Sequence, residues 1–369
     1  MTAQLFTPLQ IGNRTLSNRI TVAPMCQYSA IDGSMTDWHL MHLGSLAISG
    51  ASMLVMEMTA VTPPGHITPH CVGLYSDDNE AAMQRVVEFV RSISPIVLGV
   101  QLAHAGRKAS AHRPWSGQGF LRPDEGAWQT EAPSAVPLAP GWPAPHAMTR
   151  TDMQQLTQAF VRAAQRAARI GLDFIEIHST HGYLLSEFLS PLANKRADEY
   201  GGSLENRMRF PMEVFRAVRG AFPADRPVGA KISGTDFVEG GFSPDEAVVY
   251  SGMLKREGCA YVTVSGGGVV LDAKVPVGPG YQVPFAERVK KETGITTGAV
   301  GMITDPQQAE AIIASGQADF ISLARAMLFN PRWPQHAAVA LGVEAPYPPQ
   351  YERAAPKAWR PGRTLGKLA

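Results

Sequence analysis

The stretch Phe174-Ile-Glu-Ile-His-Ser-Thr-His-Gly-Tyr183 decides how the rest of the chain is read. An apolar run, Leu172 to Ile177, breaks off into His178, His181 and Tyr183. Apolar residues bury a strand, whereas imidazoles and a phenol at its end need hydrogen-bonding partners. The pattern predicts a buried strand that delivers three such groups to a pocket at its C-terminal end. A tyrosine hydroxyl, with a reference pKa of about 10, is a neutral donor at pH 7. Two neutral imidazoles each offer one N–H to an oxygen on which negative charge gathers. Taken alone, the ten residues also fit structural histidines, a merely packed tyrosine, or a zinc site. Zinc would need a third ligand, and the chain holds no HExxH or CxxC pair.

Working outward, eight short apolar runs have strand character: Ile20–Met25, Met53–Met58, Ile96–Leu102, Leu172–His178, Pro227–Ile232, Tyr261–Val264, Ile295–Val300 and Phe320–Leu323. Most are continuous rather than alternating, as in parallel strands buried on both faces. Helical segments separate them, at 37–49, 80–93, 206–220 and 284–293, with three more whose ends are readable. Thr151 and Gln154 have capping-box spacing, and that helix stops at Gly171; Ser243-Pro-Asp-Glu246 opens a second helix that ends at Gly258; Asp305-Pro306 opens a third that stops at Gly316. Strand and helix alternating eight times predict a (βα)8 barrel in one domain over residues 1–369. A doubly wound open sheet would show a glycine-rich turn after an early strand, but the first run ends in Pro24-Met25-Cys26. Residues 103–148 form an outsized polar connection containing Trp115, Trp128 and Trp142. Connections of that length are usually functional, and the tryptophans predict a packed cap with a short hairpin.

Lys and Arg number 33 against 32 Asp and Glu, and no basic stripe points to nucleic acid. No apolar stretch is long enough to span a membrane, and the first residues lack a charged leader followed by an apolar run. Three cysteines at unrelated spacings suit a reducing cytoplasm better than a disulfide framework. The expected strand ends gather Gln101, Lys231, glycine-rich turns after the last three strands, and Arg325. Loops after strands seven and eight of such barrels commonly hold phosphate, so together these describe a flat phosphorylated cofactor across the barrel mouth.

Five motifs carry a resemblance. They are Asn18-Arg19-Ile20 leading to Pro24-Met25-Cys26-Gln27-Tyr28, Gln101-Leu-Ala-His-Ala-Gly-Arg-Lys108, His178-Ser-Thr-His-Gly-Tyr183, Asp198-Glu-Tyr-Gly-Gly-Ser-Leu-Glu-Asn-Arg207 and Pro279-Gly-Tyr-Gln282. With them the chain resembles the old yellow enzyme family over nearly its whole length. Cys26 with Tyr28, and the tail Gln350-Tyr-Glu-Arg353, are similar to its bacterial thermophilic-like or xenobiotic reductase branch. The resemblance implies non-covalent FMN, NADPH or NADH as hydride donor, an electron-poor alkene as substrate, and a homodimer or homotetramer. It implies that Pro24, Met25 and Cys26 line the flavin, and that Met58 and Gln101 contact its pyrimidine half. Lys231 would stabilise the anionic reduced form, and Gly301, Met302, Ala324 and Arg325 would hold the phosphate. His178 and His181 would grip the substrate oxygen, Tyr183 would give a proton, and Tyr28 would flank the substrate. Arg353, on a tail of residues 345–369, would reach a neighbouring subunit's site. Four departures stand out: Lys231 where the family usually has Arg, Met58 where it has a smaller residue, Ala324 for a frequent Gly, and Ser179-Thr180 at the centre of the histidine motif. Larger relatives with an iron–sulfur cluster and a second domain are not expected here, since the chain lacks a cysteine cluster and spare length.

Overall fold

A computed structural model describes residues 3–344 and 346–365. The chain opens with a tight hairpin, β1 (Leu9–Ile11) and β2 (Arg14–Leu16), before the barrel begins. Strand β3 (Ile20–Val22) leads to α1 (Asp37–Ala47), β4 (Met53–Ala60), α2 (Asp77–Ile93) and β5 (Val97–Ala103). The long connection contains β6 (Glu131–Ala132) and β7 (His146–Ala147) and ends in α3 (Arg150–Ile170). Then come β8 (Phe174–Ser179), α4 (Leu184–Leu189), α5 (Leu204–Ala221), β9 (Val228–Ser233), α6 (Pro244–Arg256), β10 (Val262–Ser265), α7 (Val283–Thr293) and β11 (Thr297–Ala299). The described chain closes with α8 (Pro306–Ala314), β12 (Phe320–Leu323), α9 (Arg325–Phe329), α10 (Trp333–Ala340) and the short α11 (Gly362–Leu365). Eight strands, β3, β4, β5, β8, β9, β10, β11 and β12, close in that order into a parallel barrel. This is the expected (βα)8 fold, with every barrel strand inside or within one or two residues of its apolar run.

The barrel interior is filled in layers. At the N-terminal end Phe174, Tyr261 and Phe320 point inward and meet edge to face, Tyr261 lying 6.3 Å from Phe174 and 5.7 Å from Phe320. Each ring occupies room left by a glycine on the preceding strand. A Cβ built on Gly99, Gly229 or Gly298 would stand 2.5, 2.2 or 2.3 Å from Phe174, Tyr261 or Phe320 respectively. Ile11 and Leu16 of the hairpin pack onto this layer with Met53 and Val55, so the hairpin seals that end. The main core lies outside the barrel, between its strands and the surrounding helices.

Several details differ from the expectations. Helix α3 is capped by Thr149, whose hydroxyl accepts from the Asp152 N–H while the Asp152 carboxylate accepts from the Thr149 N–H; a carboxylate suits a helix N-terminus better than the amide of Gln154. Strand β3 stops at Val22, three residues before Met25, because the chain must turn out over the mouth. Helix α6, by contrast, ends as expected: Arg256 is its last residue, Glu257 its cap, and Gly258 at φ +84° turns the chain out. The cap is packed unevenly. Trp128 is partly buried and donates to the Pro64 carbonyl at 3.1 Å, whereas Trp115 is 65% exposed. The ladder between β6 and β7 is parallel, so it is no hairpin; only the antiparallel bridge Ala111–Phe120 has hairpin sense. Arg107 holds the cap down, donating to the carbonyls of Val136, Pro137 and Val269 at 3.1, 3.2 and 2.6 Å. Among the described residues no helix is long and apolar enough to cross a membrane.

Candidate active site

Above the aromatic layer lies a polar one. Gln101, Glu176, Lys231 and Thr263 come from β5, β8, β9 and β10, and in register Gln101 neighbours Glu176 while Lys231 neighbours both His178 and Thr263. Glu176 accepts from the Gln101 amide at 2.8 Å and from the Thr263 hydroxyl at 3.2 Å. Burial raises its pKa, opposed by Lys231. Lys231 makes no hydrogen bond or ion pair among the described residues. Burial lowers its pKa, and Glu176 then Cys26 oppose that shift. A buried cation without a paired carboxylate is costly, so this position suits an electron-rich partner.

The end of β8 lies at the mouth. The rings of His178 and His181 meet edge to face at 5.2 Å, and those of His178 and Tyr183 at 4.8 Å. The Thr180 N–H donates to His178 Nδ1 at 3.3 Å, which puts the ring proton on Nε2. The Ser265 hydroxyl lies 2.8 Å from His181 Nε2; with that hydroxyl donating, His181 keeps its proton on Nδ1. Both imidazoles are held well below the usual histidine range, first by burial and then by neighbouring charge, including that of Lys231 and Lys108. They are neutral donors at physiological pH. Burial pushes the Tyr183 phenol well above its ordinary value, so it keeps its proton.

The loop after β8 is tightly constrained. His181 has φ +63° and Gly182 φ +70°, a left-handed pair that carries the chain back under the loop after β10. A Cβ on Gly182 would stand 2.1 Å from the Gly268 carbonyl oxygen, so only glycine fits there.

The remaining expected residues fall into two further groups. Cys26, Tyr28, Met58 and Tyr183 share one apolar cluster with Ile67, Cys71 and Trp128. Met58 follows a bulge in β4, between Met56 and Met58, which re-aims its side chain into that cluster. The loop bearing Gln27 is held by Glu57, whose carboxylate accepts the Gln27 N–H at 3.0 Å. Across the mouth, Gly301 (φ +110°) and Met302 (φ +50°) follow β11, and Ala324 and Arg325 follow the adjacent β12. Arg325 is exposed and has no ion pair or hydrogen bond among the described residues. Arg353 is not brought to this mouth by any described contact. It is exposed on a short 3-10 turn, Pro349–Ala354, that lies against the chain's own Arg332 through Tyr351 at 5.6 Å. Residues 345 and 366–369 of the expected tail lie outside the described residues.

Three residues with evident roles were not singled out from sequence: Glu176, Ser265 and Glu57. A carboxylate inside an otherwise apolar run was the available signal for Glu176. As a set, an unpaired buried cation, a buried amide, and a free guanidinium and a positive-φ glycine at the ends of adjacent strands suit a flat ring that gains negative charge on reduction and carries a phosphate, as FMN does.

Comparison with known proteins agrees. The profile of the NADH:flavin oxidoreductase / NADH oxidase family matches residues 4–343. An NADPH dehydrogenase of Geobacillus thermodenitrificans (strain NG80-2) is 43% identical over 355 residues, covering 96% of this chain and 99% of that protein. Morphinone reductase superposes with a TM-score of 0.76 at 28% identity, covering 94% of this chain and 92% of that one. An old yellow enzyme homologue of Zymomonas mobilis shares the fold, with a TM-score of 0.76 at 24% identity over 93% of this chain and 94% of that one. The chain belongs to the NADH:flavin oxidoreductase / NADH oxidase family and is an FMN-dependent NAD(P)H oxidoreductase of the old yellow enzyme type.

Proposed function

We propose that this protein reduces the C=C bond of α,β-unsaturated carbonyl or nitro compounds with NADPH, in two alternating half-reactions, the whole chain acting as one FMN-binding domain. The observation that carries the reading is the meeting of two neutral imidazoles and a protonated phenol at the end of β8. Bound FMN would supply the hydride chemistry that links the nicotinamide to the β-carbon of the alkene. Pro24, Met25 and Cys26 would line its ring on one side; Met58, Gln101 and Lys231 would meet its pyrimidine edge; Gly301, Met302, Ala324 and Arg325 would take its phosphate. His178 Nε2–H and His181 Nδ1–H donate to the carbonyl or nitro oxygen as charge builds there. Losing one such donor typically costs about 10²–10³ in rate. Tyr183 supplies the proton to the α-carbon, and Tyr28 walls the substrate. Steady-state assays with enones, maleimides and nitroalkenes, using NADPH and NADH in turn, test this. Turnover of an enone with NADPH is expected; a protein reducible by NADPH that no such alkene reoxidises would refute the substrate class.

Arg353 would complete the site of a neighbouring copy in a homodimer or homotetramer. Its exposure and its lack of an ion pair or hydrogen bond among the described residues support this reading. Truncation after Pro349 is expected to raise KM for the alkene about tenfold, the loss of one charged hydrogen bond of about 1.5 kcal/mol, and to change the mass seen by light scattering. Unchanged values of both would remove the tail from the site.

A further inference from the structure

Lys108 takes no part in the roles assigned so far, yet three loops of the mouth converge on it. It ends a short turn after β5, Gly106–Lys108. Its ammonium donates to the carbonyl of His181 at 2.8 Å and to that of Gly268 at 3.2 Å, and it stands 5.0 Å from the centre of the Tyr183 ring. It has no carboxylate within ion-pair distance among the described residues. The charged or titratable groups around it are Arg107 on its own turn, His178 near the end of β8, His181 and Tyr183 beyond it, and Glu187 on α4. Glu187 is pushed up to about 8 by burial, so at neutral pH it is mostly an uncharged carboxyl.

We propose that Lys108 is a positioning residue for proton transfer: its fixed cation faces the Tyr183 ring, favours release of the phenolic proton and stabilises the tyrosinate left behind. This rests on the function proposed above. The Tyr183 O–H bond breaks as the α-carbon–hydrogen bond forms, the O–H electron pair stays on the phenolic oxygen, and solvent later returns the proton. A cation over an aromatic face is attracted to the ring, more strongly in a dry site, and a phenolate gains more from it than a phenol. The two carbonyl contacts fix the ammonium and the left-handed His181-Gly182 turn together, so charge and geometry arrive as a unit.

Burial draws the Lys108 pKa down to about 8. Below that pH the cation is present; above it the amine is neutral and its effect is lost. The test is the rate at which 2-cyclohexenone reoxidises the pre-reduced holoenzyme, followed by stopped flow across that range. The wild-type rate is expected to fall as pH rises through about 8. Lys108→Gln keeps a donor for the carbonyls and loses the charge; it should be about tenfold slower and flat with pH. Lys108→Arg should restore the rate and remove the alkaline fall. In a Tyr183→Phe background, Lys108→Gln should add little, because coupled residues are not additive. Three results would each overturn the role: an alkaline fall that persists in Lys108→Gln, additive losses with Tyr183→Phe, or an equal loss in flavin reduction by NADPH. A wild-type protein that reduces no alkene would overturn the proposed function instead, and this role with it.

Discussion

Tyr183→Phe is expected to slow reoxidation of the reduced enzyme by 2-cyclohexenone by about 10²–10⁴-fold, the usual contribution of a positioned acid, while reduction by NADPH suffers far less. The substitution removes one oxygen and leaves the ring that packs at 4.8 Å on His178, so the donor pair keeps its arrangement. Hydride transfer from the nicotinamide needs no proton from this residue. Measured separately by stopped flow, the two half-reactions should therefore part company. Losses of equal size in both would mean that the ring, rather than its hydroxyl, matters, and that the proton comes from elsewhere.

The second large effect concerns Gly182→Ala. The new methyl would lie 2.1 Å from the Gly268 carbonyl oxygen at φ +70°, a backbone obstacle that cannot rotate aside. The loops after β8 and β10 must separate, which breaks one or both Lys108 contacts and shifts His181. Overpacking and a left-handed non-glycine residue each cost about 1–3 kcal/mol, so a combined loss of about 2–6 kcal/mol is expected. It should appear as a lower melting temperature, and as weakened binding of a phenol that fills the substrate position. Wild-type stability with wild-type phenol affinity would show that the loop has slack the present geometry denies.

The fold was readable because its strongest signals are long and local. A parallel strand covered by helices is buried on both faces and reads as a mostly apolar run, as Met53–Ala60 and Phe174–Ser179 do despite Glu57, Glu176 and His178. Helix starts were readable where a cap was unambiguous, as at Ser243 and Asp305, and misplaced by two residues where two threonines, Thr149 and Thr151, stood close together. The hairpin of β1 and β2 escaped because three-residue strands carry almost no periodicity, although Gly12-Asn13 between two short alternating runs was a usable turn signal. The His178, His181 and Tyr183 cluster was legible because polar groups at the end of a buried run must be going somewhere. Lys108 was not, since a lysine in a loop looks like any solvated lysine until the carbonyls of two distant loops are seen to meet it. The structure places Arg353 on an exposed 3-10 turn, and the role proposed for it would need a neighbouring copy.

The hairpin stopper of Ile11 and Leu16 carries a kinetic consequence. In the reaction proposed here, with the barrel interior filled and its far end sealed by the hairpin, nicotinamide and alkene would share the one open mouth, and each would leave before the other docks. Double-reciprocal plots at several NADPH concentrations should then give parallel lines, and a high level of either reactant should inhibit by blocking the other.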